Sequence, residues 1–186
     1  LTGARRIAVP GCYPTACTLA LAPGFVAGVL QADDVVIVAA SGTSGAGRSV
    51  KSHLLGSETM GSMSPYGVGG VHRHTPEIEQ NLGACAGEPV TVSFTPTLAP
   101  MPRGILATCT ARLKPGGPAM TAATLRASWQ VAYRDEPFVH LLPQRPGPHP
   151  VNAPGSNNVH TQVTPDARTG HTVAAAAVDN RTNGNA

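Results

Sequence analysis

Val9-Pro10-Gly11-Cys12-Tyr13-Pro14-Thr15-Ala16 sets one cysteine between a short apolar run and a helix-permissive segment. Ile7-Ala8-Val9 reads as a strand, which Pro10 and Gly11 end. Pro14 carries the fixed φ suited to a first helical turn, so a helix is expected from Pro14 to Ala22, with Pro23 stopping it. A cysteine just before a helix N-terminus lies in the positive end of the macrodipole, which favours thiolate over thiol. Cys12 is therefore a candidate nucleophile, against the plainer reading of a small buried turn residue.

Two further stretches supply what a nucleophile needs. Gly70-Val71-His72-Arg73-His74-Thr75-Pro76-Glu77-Ile78-Glu79 gathers two imidazoles, a guanidinium and two carboxylates. His72 and His74 are two residues apart and share a face in an extended segment. One of them, with His72 favoured, handles the thiol proton, and the other orients substrate. Arg73 reads as a surface or interface residue. A metal shared by His72 and His74 with Glu77 as third ligand is the rival, and it leaves the other motifs unexplained. Glu77 otherwise orients an imidazole or caps the helix expected from Thr75 to Leu82. In that helix Thr75 reads as N-cap and Pro76 as first helical residue.

Ser41-Gly42-Thr43-Ser44-Gly45-Ala46-Gly47-Arg48 follows the apolar run Val35 to Ala40. A glycine-rich loop between strand and helix can present backbone N–H groups to a phosphate. Arg48 and Arg103 are candidate clamps for a substrate phosphate or carboxylate, because guanidinium matches both bidentately.

The composition narrows the class. The chain has 186 residues, enough for one domain with a core. Charged residues make up 12%, and the net charge of +3 is spread without a basic stripe, which speaks against nucleic acid. No apolar run approaches the length of a membrane span. Cys12, Cys17, Cys85 and Cys109 show no Cys-x-x-Cys spacing, so reduced thiols in the cytoplasm are expected, with the last three in the core. Further strands are expected at Val35 to Ala40, Val90 to Phe94, Gly104 to Arg112 and Val173 to Val178, with Glu136 to Leu142 extended. Further helices are expected at Ala46 to Leu55 and Thr121 to Tyr133, the latter from Leu125, Trp129 and Ala132 at helical spacing. Pro143 to Pro154 reads as a loop. Elements mixed without regular βαβ alternation imply an α+β fold with a mainly antiparallel sheet, as one domain over 1–186.

Pro-Gly-Cys-Tyr-Pro-Thr-Ala, Ser-Gly-Thr-Ser-Gly-Ala-Gly-Arg and His-Arg-His-Thr-Pro-Glu-Ile, in that order, resemble the N-acetyl-gamma-glutamyl-phosphate reductase family of arginine biosynthesis. Phe94-Thr95-Pro96, Pro102-Arg103-Gly104-Ile105, Gly155-Ser156-Asn157 and Val178-Asp179-Asn180 extend the likeness to about residue 180. The resemblance implies a glyceraldehyde-3-phosphate-dehydrogenase-like C-terminal domain, with helices on one sheet face. It also implies NADP(H)-dependent reduction of an acyl phosphate to a semialdehyde through a Cys12 thioester. Tyr66 would line the site, and Ser41, Gly42, Ser44, Gly45, Ala46 and Asn180 would contact cofactor. The family's dinucleotide-binding domain has no counterpart here, since no strand-linked Gly-x-Gly-x-x-Gly occurs. The resemblance implies a catalytic half that needs that domain as partner and forms a homodimer or homotetramer, with residues 181–186 an atypical tail for the family. Aspartate-semialdehyde dehydrogenase is discounted, because that family lacks His-Arg-His-Thr-Pro-Glu. The rivals of other classes are a cofactor-free thiol hydrolase or acyltransferase and a non-catalytic oligomerisation module.

Overall fold

The computed structural model of the chain describes residues 3, 5–46, 52–115, 120–153 and 155–180. Four helices occur in it: α1 (Cys12–Val26), a single turn α2 (Gly56–Thr59), α3 (Thr75–Ala86) and α4 (Ala122–Ala132). The strands are β1 (Val35–Ser41), β2 (Ser64–Pro65), β3 (Val92–Leu98), β4 (Ile105–Arg112), β5 (Val139–Leu141), β6 (Val159–Asp166) and β7 (His171–Val178). They form one sheet in the order β2-β3-β1-β4-β7-β6-β5. The pairs β1–β3 and β5–β6 are parallel and the others antiparallel.

Alternation along the strands builds the core. Val35, Ile37 and Ala39 of β1, Ile105, Ala107 and Cys109 of β4, Ala174 and Ala176 of β7 and Val163 of β6 are buried beneath the helices. α1 lies across this face against α3, β4, β7 and α4. Its Ala16, Cys17, Ala20 and Leu21 have no exposed surface, and neither do Ile78 and Leu82 of α3 or Leu125 and Trp129 of α4.

Several elements depart from expectation. Residues 5–10 form no strand, and Ile7 and Val9 are exposed. α1 begins two residues earlier than expected and runs through Pro23. A proline inside a helix withholds its own N–H from the carbonyl four residues back and crowds that carbonyl. Here the carbonyl of Leu19 accepts from the Tyr133 hydroxyl, and that of Ala20 accepts from Trp129 Nε1 at 3.0 Å. α4 thus satisfies what Pro23 disturbs. α3 is capped by His74 rather than Thr75, which is its first helical residue, and it runs on to Ala86 before Gly87 closes it at φ 73°. In α4 Leu125 and Trp129 face the core while Ala132 is exposed. β6 is unforeseen: its buried positions are Val159, Thr161 and Val163, and a threonine in the middle hides the apolar alternation. The expected helix from Ala46 lies partly outside the described residues, and 52–54 form a 3₁₀ turn.

Candidate active site

Cys12 is the first residue of α1. The turn before it is held from α3: Glu77 Oε1 accepts the Gly11 N–H at 2.9 Å. The Gly11 carbonyl in turn accepts from the Thr15 hydroxyl at 2.9 Å. The His74 ring lies so close to Gly11 that a Cβ there would be 2.7 Å from Nε2, so only glycine fits. Gly11, Glu77 and His74 together bring the His-Arg-His loop against the start of α1.

Around them stands an aromatic cluster. The Tyr13 ring meets His72, His74 and Phe94 edge-on at centroid distances of 5.5, 5.9 and 5.2 Å. The His72 ring meets His74 at 5.0 Å and Tyr66 at 5.6 Å. The Tyr13 and Tyr66 hydroxyls are 2.6 Å apart in a hydrogen bond. His72 Nδ1 accepts the His74 backbone N–H at 3.1 Å, which places the proton of neutral His72 on Nε2.

A cavity of about 380 Å³ opens here, lined by Cys12, Tyr13, Gly42, Gly45, Leu54, Ser64, Tyr66, His72, Arg73, His74 and Leu98. The structure thus brings Cys12, His72, His74, Tyr66, Gly42 and Gly45 together. Tyr13, Leu54, Ser64 and Leu98 were not anticipated. Tyr13 carried a signal in its place beside the cysteine. Arg73, expected at a surface or interface, is exposed but faces this cavity. Its position between the two histidines was the signal.

The electrostatics correct one expectation. Burial pushes the Cys12 thiol above its ordinary value; the Tyr13 and Cys12 backbone N–H groups and then Arg73 pull it down without cancelling that effect, and Glu77 adds to the rise. In this chain Cys12 is held as a thiol. Burial also pushes both imidazoles down, His74 to about 4, with the His72 and Arg73 charges adding to the effect.

Other candidates have different work. Arg103 is not a clamp in the cavity: its Nε donates to Asp179 Oδ1 at 3.2 Å and its Nη2 to Oδ2, and buried Asp179 also accepts the Gly155 N–H at 2.7 Å. Arg48 lies outside the described residues. Glu77 serves the Gly11 amide rather than an imidazole or a metal. Among the described residues no three His, Cys, Asp or Glu side chains group to hold a metal.

The glycine-rich loop is no phosphate cradle. Gly42, Thr43 and Ser44 donate their N–H groups to the carbonyls of Gly104, Met101 and Pro102, and Gly45 donates to Gly42. A Cβ at Gly42 would strike the Arg103 backbone at 2.6 Å, and one at Gly45 would meet Asn180 Nδ2 at 2.7 Å. Asn180 ties the loop in place: its Oδ1 accepts the Gly104 N–H at 2.9 Å and the Ser44 hydroxyl at 3.4 Å, and its Nδ2 donates to Ser41 Oγ at 3.5 Å. Ser41, Ser44 and Asn180 brace a bare strip of backbone that Gly42 and Gly45 present to the cavity. With its amides bonded inward, this strip offers no N–H donor to a pyrophosphate.

The chain matches the family described as semialdehyde dehydrogenase, dimerisation domain, over residues 12–180. It is 65% identical over all 186 residues to an N-acetyl-gamma-glutamyl-phosphate reductase of Arthrobacter sp., covering 53% of that protein. It is 63% identical over the same length to the reductase of that name from Streptomyces coelicolor, again covering 53%. The chain spans about half the length of the curated relatives it matches. Among solved structures it is similar to aspartate semialdehyde dehydrogenase II complexed with ASA from Vibrio cholerae, with a TM-score of 0.71 at 14% identity over 92% of this chain and 56% of that one. A similar likeness holds to aspartate semialdehyde dehydrogenase with NADP from Candida albicans, with a TM-score of 0.68 at 16% identity over 94% of this chain and 52% of that one. At such identity these last two speak for the fold.

Proposed function

As the chain belongs to the semialdehyde dehydrogenase family through its dimerisation domain, we propose that it is the acyl-transfer half of an N-acetyl-gamma-glutamyl-phosphate reductase. The observation that carries the reading is Cys12 at the first turn of α1, in one cavity with His72 and His74. The names of relatives at 60–65% identity supply the substrate: N-acetyl-γ-glutamyl phosphate, reduced to the semialdehyde with release of phosphate.

The chemistry follows from the side chains. A buried thiol must lose its proton as it attacks. His72 is neutral with its proton on Nε2, so it serves as a hydrogen-bond donor to the carbonyl oxygen. His74, whose ring lies against Gly11, takes the thiol proton. This reverses the assignment expected from spacing, and the His74 N–H to His72 Nδ1 hydrogen bond is the reason. Cys12 Sγ bonds to the carbonyl carbon, the bond from carbon to phosphate oxygen breaks, and the electron pair leaves with phosphate. NADPH would supply the hydride that takes the thioester to the aldehyde level. Gly42 and Gly45 would receive its nicotinamide ring, Asn180, Ser41, Ser44 and the turn at Ala46 would hold that strip, and the dinucleotide phosphates would be held by another domain.

The chain also associates with itself in this reading. The sheet face away from the helices carries Val36, Val38, Thr108, Thr110, Val173 and Ala175 at its centre, with the charged Arg112 and Asp166 at its margin. Another sheet of the same kind would cover it, giving a homodimer or homotetramer. The four free thiols suit the cytoplasm.

Acylation tests the reading without cofactor. On mixing with N-acetyl-γ-glutamyl phosphate, the chain should release a stoichiometric burst of phosphate and gain the acyl mass on the Cys12 peptide. Cys12→Ser should show neither. Steady phosphate release without the adduct would point to a hydrolase, and no release at all would sink the proposal.

A further inference from the structure

We propose that Arg73 is the anion-binding residue of this site and holds the phosphate group of the acyl phosphate while Cys12 displaces it, an inference that rests on the acyl-transfer reading above. Arg73 stands between His72 and His74 and lines the same cavity as Cys12. Its side chain is exposed and makes no ion pair among the described residues. The other cations near carboxylates are paired: Arg103 with Asp179, Arg112 with Asp34, Lys114 with Glu88 and Arg168 with Asp166. Glu77, the acid nearest in sequence, turns one oxygen to the Gly11 amide.

The neighbours leave Arg73 as the permanent positive charge among the described lining residues. The imidazoles on either side are neutral near pH 7, so they offer hydrogen bonds and no charge. Arg73 lines the cavity with Cys12, Tyr66 and both imidazoles, so its charge faces the space in which the thiol would react.

Chemistry then selects the phosphate over the substrate's carboxylate. In an acyl phosphate the phosphate is bonded to the carbon that sulfur attacks, so a cation close to Sγ is close to it. The carboxylate of a glutamyl chain sits at the other end of the molecule. In the step, the carbon–oxygen bond breaks and its electron pair passes to phosphate oxygen. A guanidinium meets that growing charge with two parallel N–H donors. Placed there it stabilises the transition state more than the bound substrate.

Charge-selective alkylation of Cys12, read peptide by peptide by mass spectrometry, tests this on the chain itself. The wild type should favour anionic iodoacetate over neutral iodoacetamide relative to a free thiol, and inorganic phosphate should slow the iodoacetate reaction. Arg73→Gln, at an exposed position and with an unchanged circular dichroism spectrum, should lose the preference and weaken phosphate protection roughly tenfold. Arg73→Lys should keep the preference and recover part of the protection. Equal protection in wild type and Arg73→Gln would overturn the inference, as would protection by N-acetylglutamate but not phosphate. The phosphate burst distinguishes the two failures. A wild type that acylates but shows no Arg73 dependence loses this inference alone, and one that does not acylate loses both.

Discussion

Cys12 and His74 show opposite charges being suppressed by one cause. Both are buried, and burial penalises a thiolate as it penalises an imidazolium. The helix N-terminus does supply amides to the sulfur, as the position in the sequence implied, but desolvation outweighs them. Near neutral pH the described lining of the cavity therefore carries no charge apart from Arg73. For His74 the consequence reaches folding stability. Its pKa is lowered from 6.5 to about 4 in the folded chain, so between those values the unfolded state binds a proton that the folded state refuses. Stability is then fully present above pH 6.5 and declines as pH falls toward 4, by about 3 kcal/mol across that window. Urea unfolding at pH 7 and at pH 5 should show the decline, and His74→Gln should reduce it to the part that the lowered His72 supplies. An unchanged pH slope in that variant would remove His74 as the source.

At the scale of the element, α1 is held at both ends by other helices. α3 fixes its start through Glu77 and the His74 ring. α4 repairs its last turns through Trp129 and Tyr133, where Pro23 disturbs the helix. Gly24 is what lets α4 come so near. A Cβ at Gly24 would lie 2.5 Å from Leu30 Cδ1 and 2.7 Å from the Trp129 ring. Gly24→Ala improves local helix propensity, yet it should destabilise the protein by about 1–3 kcal/mol through overpacking. Equilibrium unfolding checks the sign. A gain in stability would mean that α4 yields easily and that the contact is slack.

At the scale of the whole molecule, the sheet has one face under helices and one that no helix among the described residues covers. Facing rows such as Thr95, Val38, Thr108 and Ala175 run across β3, β1, β4 and β7 with no charge to blunt them. Val38 is 47% exposed at the centre of such a row. If two copies pack there, Val38→Glu should leave the fold intact and shift sedimentation from an oligomer to a monomer. A wild type that sediments as a monomer would remove the open face as the contact.

The sequence by itself determined the strands whose apolar alternation is uninterrupted, such as Val35 to Ala40 and Gly104 to Arg112, and the helix marked by Leu125 and Trp129. Periodicity is local, so it survives without knowledge of neighbours. It also picked out Cys12, His72 and His74 as a candidate set, because their residue types suit one chemistry. Only the tertiary structure brought them to one cavity and decided what surrounds them there. It alone showed that the loop amides of Gly42 to Gly45 are bonded inward and that Asp179 takes Arg103. It left Arg73 facing the cavity and carried α1 through Pro23 with donors more than a hundred residues away. Hydrogen-bond partners and burial depend on what lies across space. They set which charges and which donors remain for a ligand, and no pattern along the chain encodes that pairing.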